Sequence, residues 1–389
     1  MNTHKIILGD CITGMKTLPD CCVHTCITSP PYFGLRDYGT GTWEGGDSDC
    51  DHIDETAMAE RMRQKKSMIV VGERMDGSTR TRVHDEEIGK GIKHQHLCKK
   101  CGAKRTDSQI GQEDTVDGYV QKMVEVFREV RRILRDDGTL WLNLGDSYMS
   151  AKNCSPPPQT QGGQRGMPSD FVPPNRKDQK GLKTKDLIGI PWRVALALQA
   201  DGWYLRQDII WSKPNPMPES VTDRCTKAHE YIFLMAKSAR YYYDAEAIKE
   251  QTTRNWANVG GNLKGRGIHK IGGVMKDIGD RTNEDAARYG RNRRSVWTVT
   301  TKPFRGAHFA VYPENLILPC VLAGCPKNGT VFDPFTGSGT TAVVALKNGR
   351  NYIGTELNPE YVKIAEDRIA ENVPATLEGV MECTHTRSV

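Results

Sequence analysis

Twelve consecutive residues, Thr330-Val331-Phe332-Asp333-Pro334-Phe335-Thr336-Gly337-Ser338-Gly339-Thr340-Thr341, restrict the fold more than any other stretch of this chain. Val331 to Asp333 reads as a buried strand. Gly337 and Gly339 permit positive backbone angles and close approach of a ligand, and Thr340 to Asn348 continues as a helix. A strand that passes through a glycine turn into a helix is the repeating unit of an open parallel sheet, and amides at the start of such a helix can meet a carboxylate or phosphate. The next strand, Asn351 to Glu356, ends on an acid where strand-end acids bind ribose hydroxyls in dinucleotide folds.

A second motif lies near the other end of the chain, Ile27-Thr28-Ser29-Pro30-Pro31-Tyr32. The strand Val23 to Thr28 ends there in a polar residue and two prolines, whose fixed backbone makes a rigid mouth suited to an amino group. Other strands are predicted at Lys5 to Leu8, Thr139 to Leu144, Trp203 to Trp211, His229 to Lys237 and Arg240 to Tyr243. Helices are predicted at Cys11 to Leu18, Pro191 to Asp201, Pro313 to Leu322 and Pro359 to Glu371. Val120, Met123, Val124, Phe127, Val130, Ile133 and Leu134 share one face of a further helix, which Asp136-Asp137-Gly138 stops.

Three features outside these elements carry chemistry. Cys98-Lys99-Lys100-Cys101-Gly102 has the spacing and trailing glycine of a zinc knuckle, and Cys50-Asp51-His52 supplies two more donors. The expected metal set is therefore Cys50, His52, Cys98 and Cys101, with His94 or His96 as competitors for the His52 position, and the site is structural because nothing here calls for an activated water. Between Gln251 and Thr300, ten basic residues face four acidic ones among glycines and Trp256. Such a conformable basic arm suits phosphates and a groove. The proline-rich, basic stretch 150–185 reads as a mobile loop. At 389 residues with 37% hydrophobic and 26% charged content, the chain can bury a large core. Only Ile6 to Leu8 are apolar at the N-terminus, so neither a signal peptide nor a membrane helix is expected, and a cytoplasmic protein is.

Together the two motifs resemble the permuted beta group of site-specific, amino-directed DNA methyltransferases, in which the cofactor half follows the catalytic half. The resemblance covers most of the chain. It implies a doubly wound, Rossmann-like α/β fold, circularly permuted, with S-adenosylmethionine as methyl donor and double-stranded DNA as substrate. Asp333, Pro334, Phe335, Gly337, Ser338, Gly339 and Thr340 then correspond to the methionine-binding motif, and Glu356 to the ribose acid. His308, Phe309 and Pro313 fall in the segment that covers the cofactor, and Asp10 matches the acid placed near its adenine. Ser29, Pro30, Pro31 and Tyr32 form the catalytic mouth: Ser29 and the Pro30 carbonyl hold the amino protons, and Tyr32 stacks a base flipped from the duplex.

Asp or Asn before the two prolines is usual for adenine N6 enzymes, whereas Thr-Ser resembles the cytosine N4 group, so cytosine N4 is favoured and adenine N6 is the alternative. An RNA or protein amino methyltransferase and a non-catalytic DNA-binding module are remoter alternatives. The organisation implied is a catalytic half over 1–42 and 113–250, a zinc-binding insertion over 43–112, a target-recognition insertion over 251–300, a cofactor half over 301–375 and a tail over 376–389.

Overall fold

Short apolar runs alternate with amphipathic stretches along the chain, and in the computed structural model they form one eight-stranded sheet covered by helices on both faces. The structure describes residues 2–34, 41–47, 49–50, 71–73, 79–81, 98, 100–106, 109–149, 179–250, 291–301 and 311–373. In chain order the strands are β1 (His4–Leu8), β2 (Val23–Thr28), β3 (Thr42–Glu44), β4 (Val71–Glu73), β5 (Thr79–Thr81), β6 (Lys104–Thr106), β7 (Leu134–Leu144), β8 (Tyr204–Ser212), β9 (His229–Ala236), β10 (Val296–Thr298), β11 (Thr330–Asp333) and β12 (Asn351–Glu356). The helices are α1 (Cys11–Lys16), α2 (Val116–Ile133), α3 (Ile190–Ala200), α4 (Glu314–Gly324), α5 (Thr340–Lys347) and α6 (Pro359–Asn372).

The main sheet runs β1-β12-β11-β2-β7-β9-β8-β10, parallel except for β9, which opposes both of its neighbours. Side chains two residues apart share a face. Phe332, Cys26, Leu140 and Leu142 therefore pack under α1, α2 and α3, while Val331, Ile27 and Trp141 pack under α4 and α5. Burial of each large apolar side chain contributes about 1.5–3 kcal/mol, so both faces are needed to hold the sheet. Helix starts are set by side-chain caps: Asp10 accepts from the Thr13 amide, Thr115 from Gly118 and Asn358 from Glu360.

From β11 the chain passes through α5 to β12 on one side, whereas β2 leads to β7 on the other. The carboxyl ends of β11 and β2 thus flank the topological switch point, where open α/β sheets bind ligands. This is the doubly wound fold expected, with the glycine-turn strand late in sequence yet inside the sheet, between β12 and β2.

Two sequence expectations differ from the structure. Arg240 to Tyr243 is not a strand; the Lys237 and Tyr242 amides instead donate to Gly138 and Asp137, closing the start of β7. Asp136-Asp137-Gly138 does not separate helix from strand either, because β7 begins at Leu134 and the triplet lies where its register against β2 shifts. Turn chemistry is spent there on a bulge. In addition, part of the 251–300 stretch, Val296–Thr298, joins the main sheet as β10, where Trp297 is buried. No described helix is long and apolar enough to cross a membrane.

Candidate active site and thiolate cluster

Asp333 ends β11 and is almost fully buried. Its Oδ1 accepts from the Thr28 hydroxyl at 2.6 Å and the Phe335 amide at 3.0 Å, and its Oδ2 from the hydroxyls of Thr341 at 2.6 Å and Tyr312 at 3.3 Å. Burial pushes its carboxyl up to about 6, against the pull of these hydrogen bonds. Both oxygens are engaged, so Asp333 acts as the joint between the glycine turn and the end of β2. The motif halves, 305 residues apart in sequence, meet through Thr28 and Asp333.

Gly337 and Gly339 have φ of +53° and +75°, as their turn requires. A Cβ at Gly339 would lie 2.9 Å from that of Ala365, so α6 sits directly on the turn. Glu356, at the end of β12, accepts the Gly337 amide at 2.8 Å and the Asn358 amide at 3.0 Å. Burial raises its carboxyl above the ordinary value, offset by those amides. A carboxylate has about four acceptor positions, so Glu356 keeps capacity for a hydroxyl beside its amide partners. Leu8 pairs in register with Glu356 and the Gly9 amide donates to the Glu356 carbonyl, so Asp10 follows at the same carboxyl edge of the sheet; Asp10 uses Oδ1 for Thr13. The Ser338 and Thr340 hydroxyls turn instead to Arg368 of α6, at 3.2 and 2.7 Å. What these two residues can offer a ligand is backbone. The Pro334 carbonyl accepts from Thr355 at 2.7 Å, Phe335 packs on the core, and Pro313 precedes α4. His308 and Phe309 lie outside the described residues.

At the end of β2 the two prolines differ. The Pro31 carbonyl accepts the Tyr119 hydroxyl at 2.9 Å, whereas among the described residues the Pro30 carbonyl accepts no hydrogen bond. Among the described residues the Ser29 hydroxyl has only a long contact, 3.4 Å, to the Tyr32 hydroxyl. Tyr32 lies so close to Gly145 that a Cβ there would be 2.5 Å from its ring. Its hydroxyl donates to Glu230 at 2.8 Å, and burial followed by that carboxylate holds the phenol well above its ordinary value, hence neutral. Glu230 also accepts from Asn143 Nδ2 at 3.2 Å and pairs with Lys213, whose ammonium sits 4.3 Å from the centre of the Trp211 ring.

Asn143, Glu230 and Arg368 carry the geometry of the site without a motif to announce them, whereas Tyr312 belongs to the segment expected to cover the cofactor. Glu230 reads in sequence as part of the start of a core strand, and its partner Tyr32 is 198 positions away. Asp146 caps α3, accepting from the Gly189 and Ile190 amides at 3.0 and 3.1 Å.

Of the expected metal donors, Cys50, Cys98 and Cys101 converge, with their sulfur atoms within 4.8 Å of one another. His52, His94 and His96 lie outside the described residues. Cys98 and Cys101 are held by a knuckle turn in which the Cys98 amide donates to Ala103 and the Gly102 amide to Cys98, with Gly102 at φ +71°. Desolvation raises the Cys101 thiol, but the Ala103 and Asp47 amides and the two neighbouring thiols outweigh it, and its value falls below the ordinary one.

The family described as DNA methylase, of the N6/N4 methyltransferase class, matches residues 23–367. The type II methyltransferase M.Cfr9I of Citrobacter freundii is 38% identical over 369 residues, spanning 95% of this chain and 88% of that protein. M.SmaI of Serratia marcescens is likewise 38% identical over 365 residues, spanning 94% and 90%. Among solved structures, the PvuII DNA methyltransferase, titled cytosine-N4-specific, shares the fold at a TM-score of 0.51 and 14% identity, over 96% of this chain and 88% of that one. A switch-point glycine turn joined to a Ser-Pro-Pro-Tyr mouth and a family match across most of the chain lead to one conclusion: this protein belongs to the N4/N6 DNA methylase family and is an S-adenosylmethionine-dependent DNA methyltransferase.

Proposed function

We propose that the protein methylates the N4 amino group of cytosine in double-stranded DNA, in the cytoplasm, with the cofactor at the carboxyl ends of β11, β12 and β1 and the flipped base at the end of β2. S-adenosylmethionine supplies an electrophilic methyl group on a sulfonium. The residues present fit it: among the described residues the Ser338 and Thr340 amides at the glycine turn donate no hydrogen bond and can meet a carboxylate, and Glu356 and Asp10, at the carboxyl ends of the paired strands β12 and β1, have acceptor capacity for ribose and adenine.

The amine's lone pair is delocalised into the ring, so the protein must localise it. Ser29 and the Pro30 carbonyl accept the amino protons, draw nitrogen toward tetrahedral geometry and aim its lone pair toward the β11 side of the crevice. The observation that carries this assignment is the contrast between the proline carbonyls, one held by Tyr119 and the other available next to the little-engaged Ser29 hydroxyl. Tyr32, fixed by Glu230, provides the stacking surface. Serine in place of Asp or Asn at position 29 favours cytosine. The basic residues of 251–300 contact phosphates and the groove, and a structural zinc is held by Cys50, Cys98 and Cys101 with His52 as fourth ligand.

Incubation with mixed-sequence duplex DNA and isotope-labelled S-adenosylmethionine, followed by nucleoside mass spectrometry, tests this. Label in N4-methylcytosine is expected; label in N6-methyladenine overturns the base, and unlabelled DNA overturns the substrate. Ser29→Ala should lower turnover about hundredfold without loss of cofactor affinity. Glu356→Ala should weaken cofactor binding by roughly tenfold to hundredfold.

A further inference from the structure

The backbone just past the mouth is stitched to the far end of the cysteine-bearing insertion. The Gly34 amide donates to the Gly111 carbonyl at 2.8 Å, and a Cβ at Gly111 would lie 3.0 Å from the Tyr32 carbonyl and 3.4 Å from the Pro31 side chain. From this junction the chain leaves and returns through the ribbon β3–β6, in which Thr42 pairs with Thr106 and Glu44 with Lys104. Cys50, Cys98 and Cys101 gather beyond the distal end, where a Cβ at Gly46 would be 2.7 Å from the Cys101 sulfur.

The sulfur spacing discriminates between two cysteine chemistries. Sγ of Cys50 and Sγ of Cys98 are 3.8 Å apart. A disulfide needs about 2.0 Å, whereas two thiolates at about 2.3 Å from a tetrahedral zinc stand about 3.8 Å apart. The ribbon has three residues per strand and cannot hold itself closed in water. A metal that joins Cys50 to Cys98, 48 positions apart, removes the closure entropy of that loop.

We infer that a zinc ion held by Cys50, Cys98 and Cys101 ties the ribbon shut and thereby keeps Gly111 against Pro31 and Tyr32, so that the metal sets turnover while touching neither base nor methyl donor. The inference rests on Ser29 to Tyr32 being the mouth. Gly111 is the positioning residue at the root, and the thiolates act through it.

The test uses the full-length protein as purified. Metal content is measured by mass spectrometry and by release to a metallochromic indicator on thiol titration, for wild type, Cys101→Ser, Gly111→Ala and the exposed-cysteine control Cys225→Ser. One zinc per chain is expected in wild type, Gly111→Ala and Cys225→Ser, and less in Cys101→Ser. Cys101→Ser and Gly111→Ala should both lose turnover on DNA, by roughly tenfold to hundredfold, with S-adenosylmethionine affinity retained as the check on folding. Hydrogen exchange at Phe33 and Gly34 should speed up when zinc is stripped and slow again when it is restored.

Absence of zinc, before and after reconstitution, overturns the inference, as does full turnover or unchanged exchange in the stripped protein. If wild type transfers no methyl group to DNA, the mouth assignment fails by itself, and metal content and exchange still decide whether the tie exists.

Discussion

Glu230 gathers the Tyr32 hydroxyl, the Asn143 amide and the Lys213 ammonium around one carboxylate, with the Lys213 and Glu230 side chains only 18% and 16% exposed. At that depth a charged hydrogen-bond partner is worth about 1.5–3 kcal/mol, and losing one member leaves the others unsatisfied. Tyr32→Phe and Glu230→Gln should each destabilise the protein in urea unfolding, and the double variant should show a coupling of about 1–2 kcal/mol. Additive effects would mean that the Tyr32 ring is held by packing on Gly145 alone. The Thr-Ser-Pro-Pro-Tyr string by itself marks Ser29 and Tyr32 as candidates. Glu230 is not marked in this way, because its role depends on a neighbour that only the β7, β9 and β8 pairings bring to it.

At the scale of elements, the strand, glycine turn and helix of residues 330–347 form as their sequence directs, but their fit depends on α6. Gly339 has φ +75°, and a Cβ there would meet the Cβ and Cα of Ala365 at 2.9 and 3.1 Å. Gly181 has a similar φ of +78° with nothing within 4 Å. Gly181→Ala should therefore cost about 1–2 kcal/mol for the backbone. Gly339→Ala should cost about 1–3 kcal/mol more, because α6 must shift. Equal losses in denaturant titrations would remove the packing argument. At Asp10, Thr115 and Asn358 the capping side chain and its target amide lie within one turn, so these helix starts are local features of the chain. Arg240 to Tyr243 has strand composition without a strand, since β-propensity has no effect where no partner edge is offered.

For the whole molecule, Asp333 on β11 ties β2, α5, the glycine turn and the segment before α4 together through one carboxyl group, and its titration reports on their joint packing. Burial lifts it from the ordinary 3.8 to about 6. Between those values the folded protein retains a proton that the unfolded chain has lost, so this contribution to stability is full below 3.8 and disappears as pH rises through about 6. The stability of wild type relative to Asp333→Asn should fall across that window by up to about 1.4 kcal/mol per pH unit, measured by urea unfolding at each pH. A flat difference would mean that the crevice is open to water at Asp333.

The sequence by itself determined the parts: a permuted pair of motifs, the period-2 strands and period-3.6 helices around them, and a knuckle turn at Cys98 to Gly102. Each is written within a few residues because it arises from dihedral restriction, side-chain alternation or a cap. Tertiary structure alone decided that Thr28 meets Asp333, that Tyr32 meets Glu230, and that Arg368 takes the hydroxyls of Ser338 and Thr340. Those contacts depend on strand order, which is fixed by crossover packing on both faces of the sheet and leaves no local trace in the chain.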